Sequence, residues 1–220
     1  WFDTKRGAQR FLQSDGDAYQ PAADATSLTS FDSDGFSVGS RTGINDLNET
    51  FAAWMWDAGT DTYSNNTTGT WTTSTKTNGK FAITYWNTAT AQGTFGTGLD
   101  RVDLCIVKHV NGNSDWFVWH KEFTNTNNSC TTLRLNSTQT AEQNSDIYAG
   151  GGKDAYGKVA VGSVLNAQRE IIAYSWKEIA GESKFGYYQG NGTFSGASQT
   201  ITCGFEPALV IIKCTSHAEP

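Results

Sequence analysis

The chain is short of cysteine, histidine and positive charge, and it has no long apolar run. Each shortage removes a class of protein. Four cysteines in 220 residues, Cys105, Cys130, Cys203 and Cys214, are too few for a disulfide scaffold of this size. No two of them stand at Cys-x-x-Cys spacing, and His109, His120 and His217 do not stand at zinc spacing. Free thiols are expected, with Cys203 and Cys214 the pair best placed for a bridge. Lys and Arg total 16 against 22 Asp and Glu, which leaves a formal charge of −6 and a pI near 5.0. That balance argues against nucleic acid and against anionic membrane as the main partner. No stretch approaches the roughly 18 apolar residues of a spanning helix, so membrane insertion is not expected. No secretory signal opens the chain, which begins on Trp1. It is expected to be a piece of a longer polypeptide.

Helical periodicity is also missing from any segment longer than about ten residues. What is present is aromatic and β-branched. Eight Trp, eight Tyr and twelve Phe are set among Gly, Thr, Asn and Ser, the mixture of sandwiches and barrels. The apolar segments are short and alternate at period two. In Glu170–Trp176, Ile171, Ala173 and Ser175 face one way and Ile172, Tyr174 and Trp176 the other. Both sets are apolar enough for a central strand covered on two sides. Phe51–Trp56 has the same pattern. Leu104–Val107 and Leu209–Ile212 read as core strands, and Trp116, Val118 and His120 share a face. Clusters such as Asn111-Gly112-Asn113 and Gly190-Asn191-Gly192 separate these runs. The fold expected is all-β, an antiparallel β-sandwich of jelly-roll type.

The sequence also repeats itself. Trp1-Phe2 matches Trp116-Phe117, and Phe36–Gly39 matches Val159–Gly162. Thr50–Trp56 matches Glu170–Trp176, and Phe81–Tyr85 resembles Lys184–Tyr188. Gly98-Leu99 with Leu104–Lys108 matches Gly204-Phe205 with Leu209–Lys213. The period is about 105 to 120 residues. Residues 79–182 are therefore expected to be one complete unit, and 1–60 the second half of another. Residues 183–220 would be the first half of a further unit, able to pair with 1–60 to complete a second sandwich. The Thr/Asn/Ser-rich residues 61–78 read as a linker. Trp56 and Trp176 should be buried equivalents, as should Ile106 and Ile211.

The run Trp1–Ala8 is followed by Ser27–Phe31, by Asp34–Phe36 and by the Trp54–Trp56 strand. With Ser183–Gly192 and Gly204–Pro207, this series resembles a tandem domain of unknown function from large structural proteins of marine bacteriophages, described as tail or tail-fibre proteins. The resemblance covers nearly the whole chain. It implies a virion or extracellular β-sandwich related to laminin-G and concanavalin-like lectin domains, and it brings no catalytic motif. The copies differ where Arg101-Val102-Asp103 faces Glu206-Pro207-Ala208.

Enzymatic signatures are sparse. Sandwich glycosidases need two carboxylates across a cleft, often as Glu-x-Asp-x-x-Glu, and that pattern does not occur. His109 and His120 have no Gly-x-Ser-x-Gly partner. Glu170 and Glu178 flank a core strand as surface charges. Asp15-Gly16-Asp17, Asp32-Ser33-Asp34 and Asp57–Asp61 lack the spacing of a twelve-residue calcium loop. They read as turns in which Asp bonds its own backbone. Asp100 and Asp103 are the calcium candidates, against the plain reading of solvated turn residues. No catalytic residue, and no cofactor apart from such a calcium ion, is expected. The Asn-x-Ser/Thr triplets at Asn48, Asn66, Asn136 and Asn191 are those that chance provides in this composition.

Aromatic rings in polar surroundings can stack on sugar faces while neighbouring amides and hydroxyls bond the sugar hydroxyls. Trp71, Trp86, Tyr187 and Tyr188 are the candidate glycan platform. The expected function is a non-catalytic structural or glycan-contacting module of a virion appendage or extracellular protein. Its partners would be cell-surface polysaccharide and other copies of the repeat or virion proteins. The rivals are a polysaccharide-degrading glycosidase or lyase on the same sandwich and a bacterial extracellular lectin or adhesin domain.

Overall fold

A computed structural model describes residues 1–87, 92–123, 125–126, 129–144, 158–166, 169–192 and 199–217. Among the described residues thirteen strands run in chain order: β1 (Leu28–Phe31), β2 (Phe36–Val38), β3 (Ser64–Asn66), β4 (Thr73–Thr77), β5 (Phe81–Asn87), β6 (Gly93–Gly96), β7 (Leu104–His109), β8 (Phe117–His120), β9 (Asn125–Thr126), β10 (Ser129–Arg134), β11 (Glu142–Gln143), β12 (Lys158–Val161) and β13 (Glu170–Trp176). A single 3-10 turn at Ser163–Asn166 is the one helical element among the described residues.

One antiparallel sheet dominates, in the order β11-β10-β8-β7-β13-β5-β4-β3, with β9 paired to β10. β13 is its central strand. Ala173 stands opposite Thr84 of β5 on one side and Val107 of β7 on the other. Two further antiparallel pairs lie among the described residues, β6 with β12 and β1 with β2.

Alternation along the strands builds two apolar layers, one on each face of this sheet. Ile171 and Ala173 of β13 point the same way as Trp86, Val107, Phe117 and Trp119. There they meet Phe95 of β6 and Val159 and Val161 of β12. This is the interior of a β-sandwich. Ile172, Tyr174 and Trp176 point to the opposite face with Phe81, Ile83 and Ile106. That face is covered by Leu12 and Ala58 of the N-terminal segment, with Trp1 packed against them. The two-sided burial expected of Glu170–Trp176 is what the sheet contains, and Trp116 and Val118 share a face as expected. Nine of the fourteen residues in the first layer are fully buried, so it is packed as a true interior.

Three expectations are corrected. Residues 61–78 are no linker at their core, because β3 and β4 extend the main sheet beyond β5. Their Thr side chains suit a pleated surface, and Thr73 and Thr75 are buried. Phe51–Trp56 forms no strand, and Trp56 is 47% exposed while Trp176 is 7% exposed. Leu209–Ile212 likewise forms no strand, with Ile211 at 77% against 7% for Ile106. The cause is the same in both segments. A strand needs hydrogen-bonding neighbours for its backbone, and among the described residues no strand pairs with either one.

Candidate functional site

The four candidate platform aromatics separate into an inner pair and an outer pair. Trp86 lies on β5 on the sandwich side and is 2% exposed, stacked on Phe95 at 4.4 Å between ring centroids. It is a core residue, and its expected place in a glycan platform is corrected accordingly. Trp71 stacks on Trp86 at 6.5 Å and closes the rim of the same layer, half-buried. A Cβ at Gly93 would come within 2.6 Å of the Trp71 ring, so glycine is required there for the indole to lie flat.

Tyr187 and Tyr188 form the outer pair. They stand beyond the sheet, 75% and 45% exposed, just before Gly190-Asn191-Gly192. The segment leading to them is anchored. Ile179 bridges to Ser183, the Phe185 amide donates to the Glu178 carboxylate at 3.1 Å, and the Phe185 ring packs against the second apolar layer. The two phenol rings are thus carried at a fixed point of departure from the fold.

The calcium candidates are each engaged by a cation. Lys177 Nζ donates to Asp100 at 2.7 Å. Asp103 accepts from Arg101 Nε at 2.9 Å and from the Glu178 amide at 2.7 Å. The two acids do not converge on a common point with a third ligand. Among the described residues no group of three or more His, Cys, Asp or Glu side chains is placed to hold a metal ion.

Other acids are tied up in the same way. Glu178 meets Lys121 at 2.5 Å and Lys184 at 3.2 Å. Burial pushes its carboxyl up, but these partners and the Phe185 amide outweigh it and hold the group down at about 2. His120 is half-buried, and burial pushes its imidazole below its ordinary value. Its Nδ1 accepts from the Glu122 amide at 3.2 Å. Cys203 and Cys214 are not joined by a disulfide, so the candidate bridge is not made. The Cys130 side chain lies outside the described residues.

Two features had no counterpart in the expectations. An open polar groove of about 300 Å³ runs along β3 and β4, lined by Asp61, Asn65, Thr68, Lys76 and Gly98 among others. The run of Thr and Asn that suggested a linker was its signal. The second is a buried cluster of Asp3, Arg6 and Tyr174. Arg6 Nε donates to Asp3, and the Tyr174 hydroxyl donates to the same carboxylate at 2.8 Å. Both ionic side chains are at most 2% exposed. Burial, with the Asp3 charge beside it, raises the Tyr174 phenol far above its ordinary range. This cluster binds the N-terminal segment to the central strand.

Over residues 1–220 the sequence matches the model of a family described as a domain of unknown function, DUF7483. The chain belongs to this family. The DUF7483 match covers the whole sequence, so the sheet, the N-terminal cover and the exposed C-terminal segment all belong to it. No curated protein and no solved structure matches the DUF7483 chain.

Proposed function

We propose that this DUF7483 domain is a non-catalytic structural module of a virion appendage or extracellular protein, and that it contacts glycan through Tyr187 and Tyr188. The observation that carries this reading is the exposure of the two adjacent rings, 75% and 45%, on a segment anchored at Phe185. Phenol rings held clear of the fold can stack on the C–H faces of a sugar, and their hydroxyls can bond to it. The phage-tail part of the reading rests on the resemblance of the motifs quoted above, and the jelly-roll part on the short alternating strands and their spacing.

The chemistry of the acids supports the non-catalytic part. General acid–base work needs a carboxylic acid held protonated near neutrality or a base within reach of a substrate. Glu178 is displaced the other way, and Asp100 and Asp103 are bonded to basic side chains.

A glycan array probed with the whole chain tests the reading. Tyr187→Ala and Tyr188→Ala should each weaken a binding hit by about 1–3 kcal/mol and leave the melting curve unchanged. Incubation with marine polysaccharides should release no reducing or unsaturated ends. Binding indifferent to both tyrosines would remove the platform. Cleavage that is lost on substitution of Asp100 or Asp103 would replace the module with a glycosidase or lyase.

A further inference from the structure

Segments of this chain that match strands of the sandwich in sequence lie uncovered in the fold. Phe36–Val38, in β2, matches β12 in sequence, and Thr50–Trp56 matches β13. Val159, Val161, Ile172 and Trp176 are buried, whereas Phe36, Val38, Trp54 and Trp56 are between 37% and 62% exposed. β13 owes its burial in part to β7 at its side. The segment matching β7 is Leu209–Lys213, and it is uncovered too. Leu209, Val210, Ile211 and Ile212 are between 50% and 77% exposed. An apolar array of this extent is unusual on a surface that meets only water.

The two uncovered segments are anchored on opposite sides of the main sheet's centre within one chain. Trp56 packs on Phe81 and Trp176, at one end of β5 and β13. Lys213 donates to the Ser137 carbonyl at 2.8 Å, and Thr215 accepts from the Ala141 amide, beside β10 and β11. β8, β7 and β13 lie between β10 and β5. At the usual strand spacing that separation is about 19 Å. Ser137 follows Leu135, whose amide bonds the Trp116 carbonyl, so it lies toward the strand ends opposite Trp176.

We propose that Phe51–Trp56 of one copy pairs antiparallel with Leu209–Lys213 of a second copy of this chain, in the register that β13 makes with β7. That register sets Trp176 opposite Leu104, Ser175 opposite Cys105, Tyr174 opposite Ile106 and Ala173 opposite Val107. Carried over by the sequence match, it sets Trp56 opposite Leu209, Met55 opposite Val210, Trp54 opposite Ile211 and Ala53 opposite Ile212. Phe36 and Val38 would supply a facing layer, as Val159 and Val161 do over the main sheet. The pairing segments differ, so the contact is head-to-tail and leaves one segment of each kind free, which extends into open chains of copies.

Two readouts test this, and neither involves Tyr187 or Tyr188. Light scattering should show a mass that rises above 23.9 kDa with concentration. Disulfide trapping should report the register. In a Cys203→Ser, Cys214→Ser background, Ala53→Cys chains are mixed with Ile212→Cys chains and oxidised. Facing Cα atoms in an antiparallel ladder lie about 4.5–5.5 Å apart, within the span of a disulfide. A covalent dimer should form in the mixture and not in either variant alone, and Glu49→Cys in place of Ala53→Cys should trap far less. Ile211→Asp lies on an exposed position and should weaken association by about tenfold or more while the melting curve stays unchanged. A chain that remains monomeric at high concentration overturns the proposal. So does an Ala53→Cys, Ile212→Cys double variant that closes within a single chain at high dilution.

Discussion

The cluster of Asp3, Arg6 and Tyr174 ties the N-terminal segment to the central strand. Arg6 is buried with its charge, and Asp3 is the anion that balances it. Removing one partner of a buried pair leaves an uncompensated charge, which costs more than the pair itself contributes. Asp3→Ala should therefore destabilise the fold by about 3–5 kcal/mol. Tyr174→Phe removes one hydrogen bond to a charged group and should cost about 1.5–3 kcal/mol. Urea melts of the two variants measure the difference. Equal losses would mean that Arg6 reaches water when Asp3 is gone. Lys108 is handled differently. Its side chain is buried, and Nζ donates to the carbonyls of Asp17 and Ser114. Burial lowers its pKa to about 8, against weaker support from Asp17 and Asp115.

At the scale of elements, β13 and Phe51–Trp56 have nearly the same pattern and opposite fates. Trp176 is enclosed by Phe81 at 5.0 Å and the edge of Trp56 at 5.5 Å. Trp56 makes those ring contacts from the outside, with about half its surface in water. Trp176→Ala should cost about 3–5 kcal/mol by emptying a core position. Trp56→Ala in dilute solution should cost only about 0.5–1.5 kcal/mol, the worth of its aromatic contacts. Thermal or urea denaturation of the two variants side by side decides the matter. Similar losses would mean that Phe51–Trp56 is a core strand after all. The alternation of Glu170–Trp176 was legible in the sequence because both of its faces are covered. The same alternation in Phe51–Trp56 misled because periodicity reports what a segment can bury and not whether a neighbour is there. Trp86 misled in the opposite sense. Polar neighbours in sequence suggested a surface ring, but the β6–β12 pair lies over that face of β5.

For the whole molecule, Glu178 joins parts that are distant in sequence. It follows β13 and holds Lys121 after β8, as well as Lys184 and the Phe185 amide of the C-terminal segment. Its carboxyl is lowered from 4.5 to about 2 in the fold. A lowered carboxylate stabilises the native state above its unfolded pKa, and that contribution is lost as pH falls through the folded value. The stabilisation is thus complete above pH 4.5 and disappears on the way to about 2. Across that window the melting temperature should fall less steeply in Glu178→Gln than in the unsubstituted chain. Parallel curves would show that the ion pairs at Glu178 do not bear on global stability.

The sequence by itself determined the class of fold, the central strand and the two-sided burial of Ile171–Trp176, because alternation and β propensity are local properties of the chain. Only the tertiary structure decided which of two matching segments becomes a strand. It also decided that residues 64–66 and 73–77 join the sheet, that Trp86 turns inward, and that Asp3 and Arg6 meet the Tyr174 hydroxyl. The reason is physical. Burial, ladder hydrogen bonds and ion pairs between residues as far apart as Asp3 and Tyr174 depend on what lies alongside, and the chain encodes that only through the assembled fold.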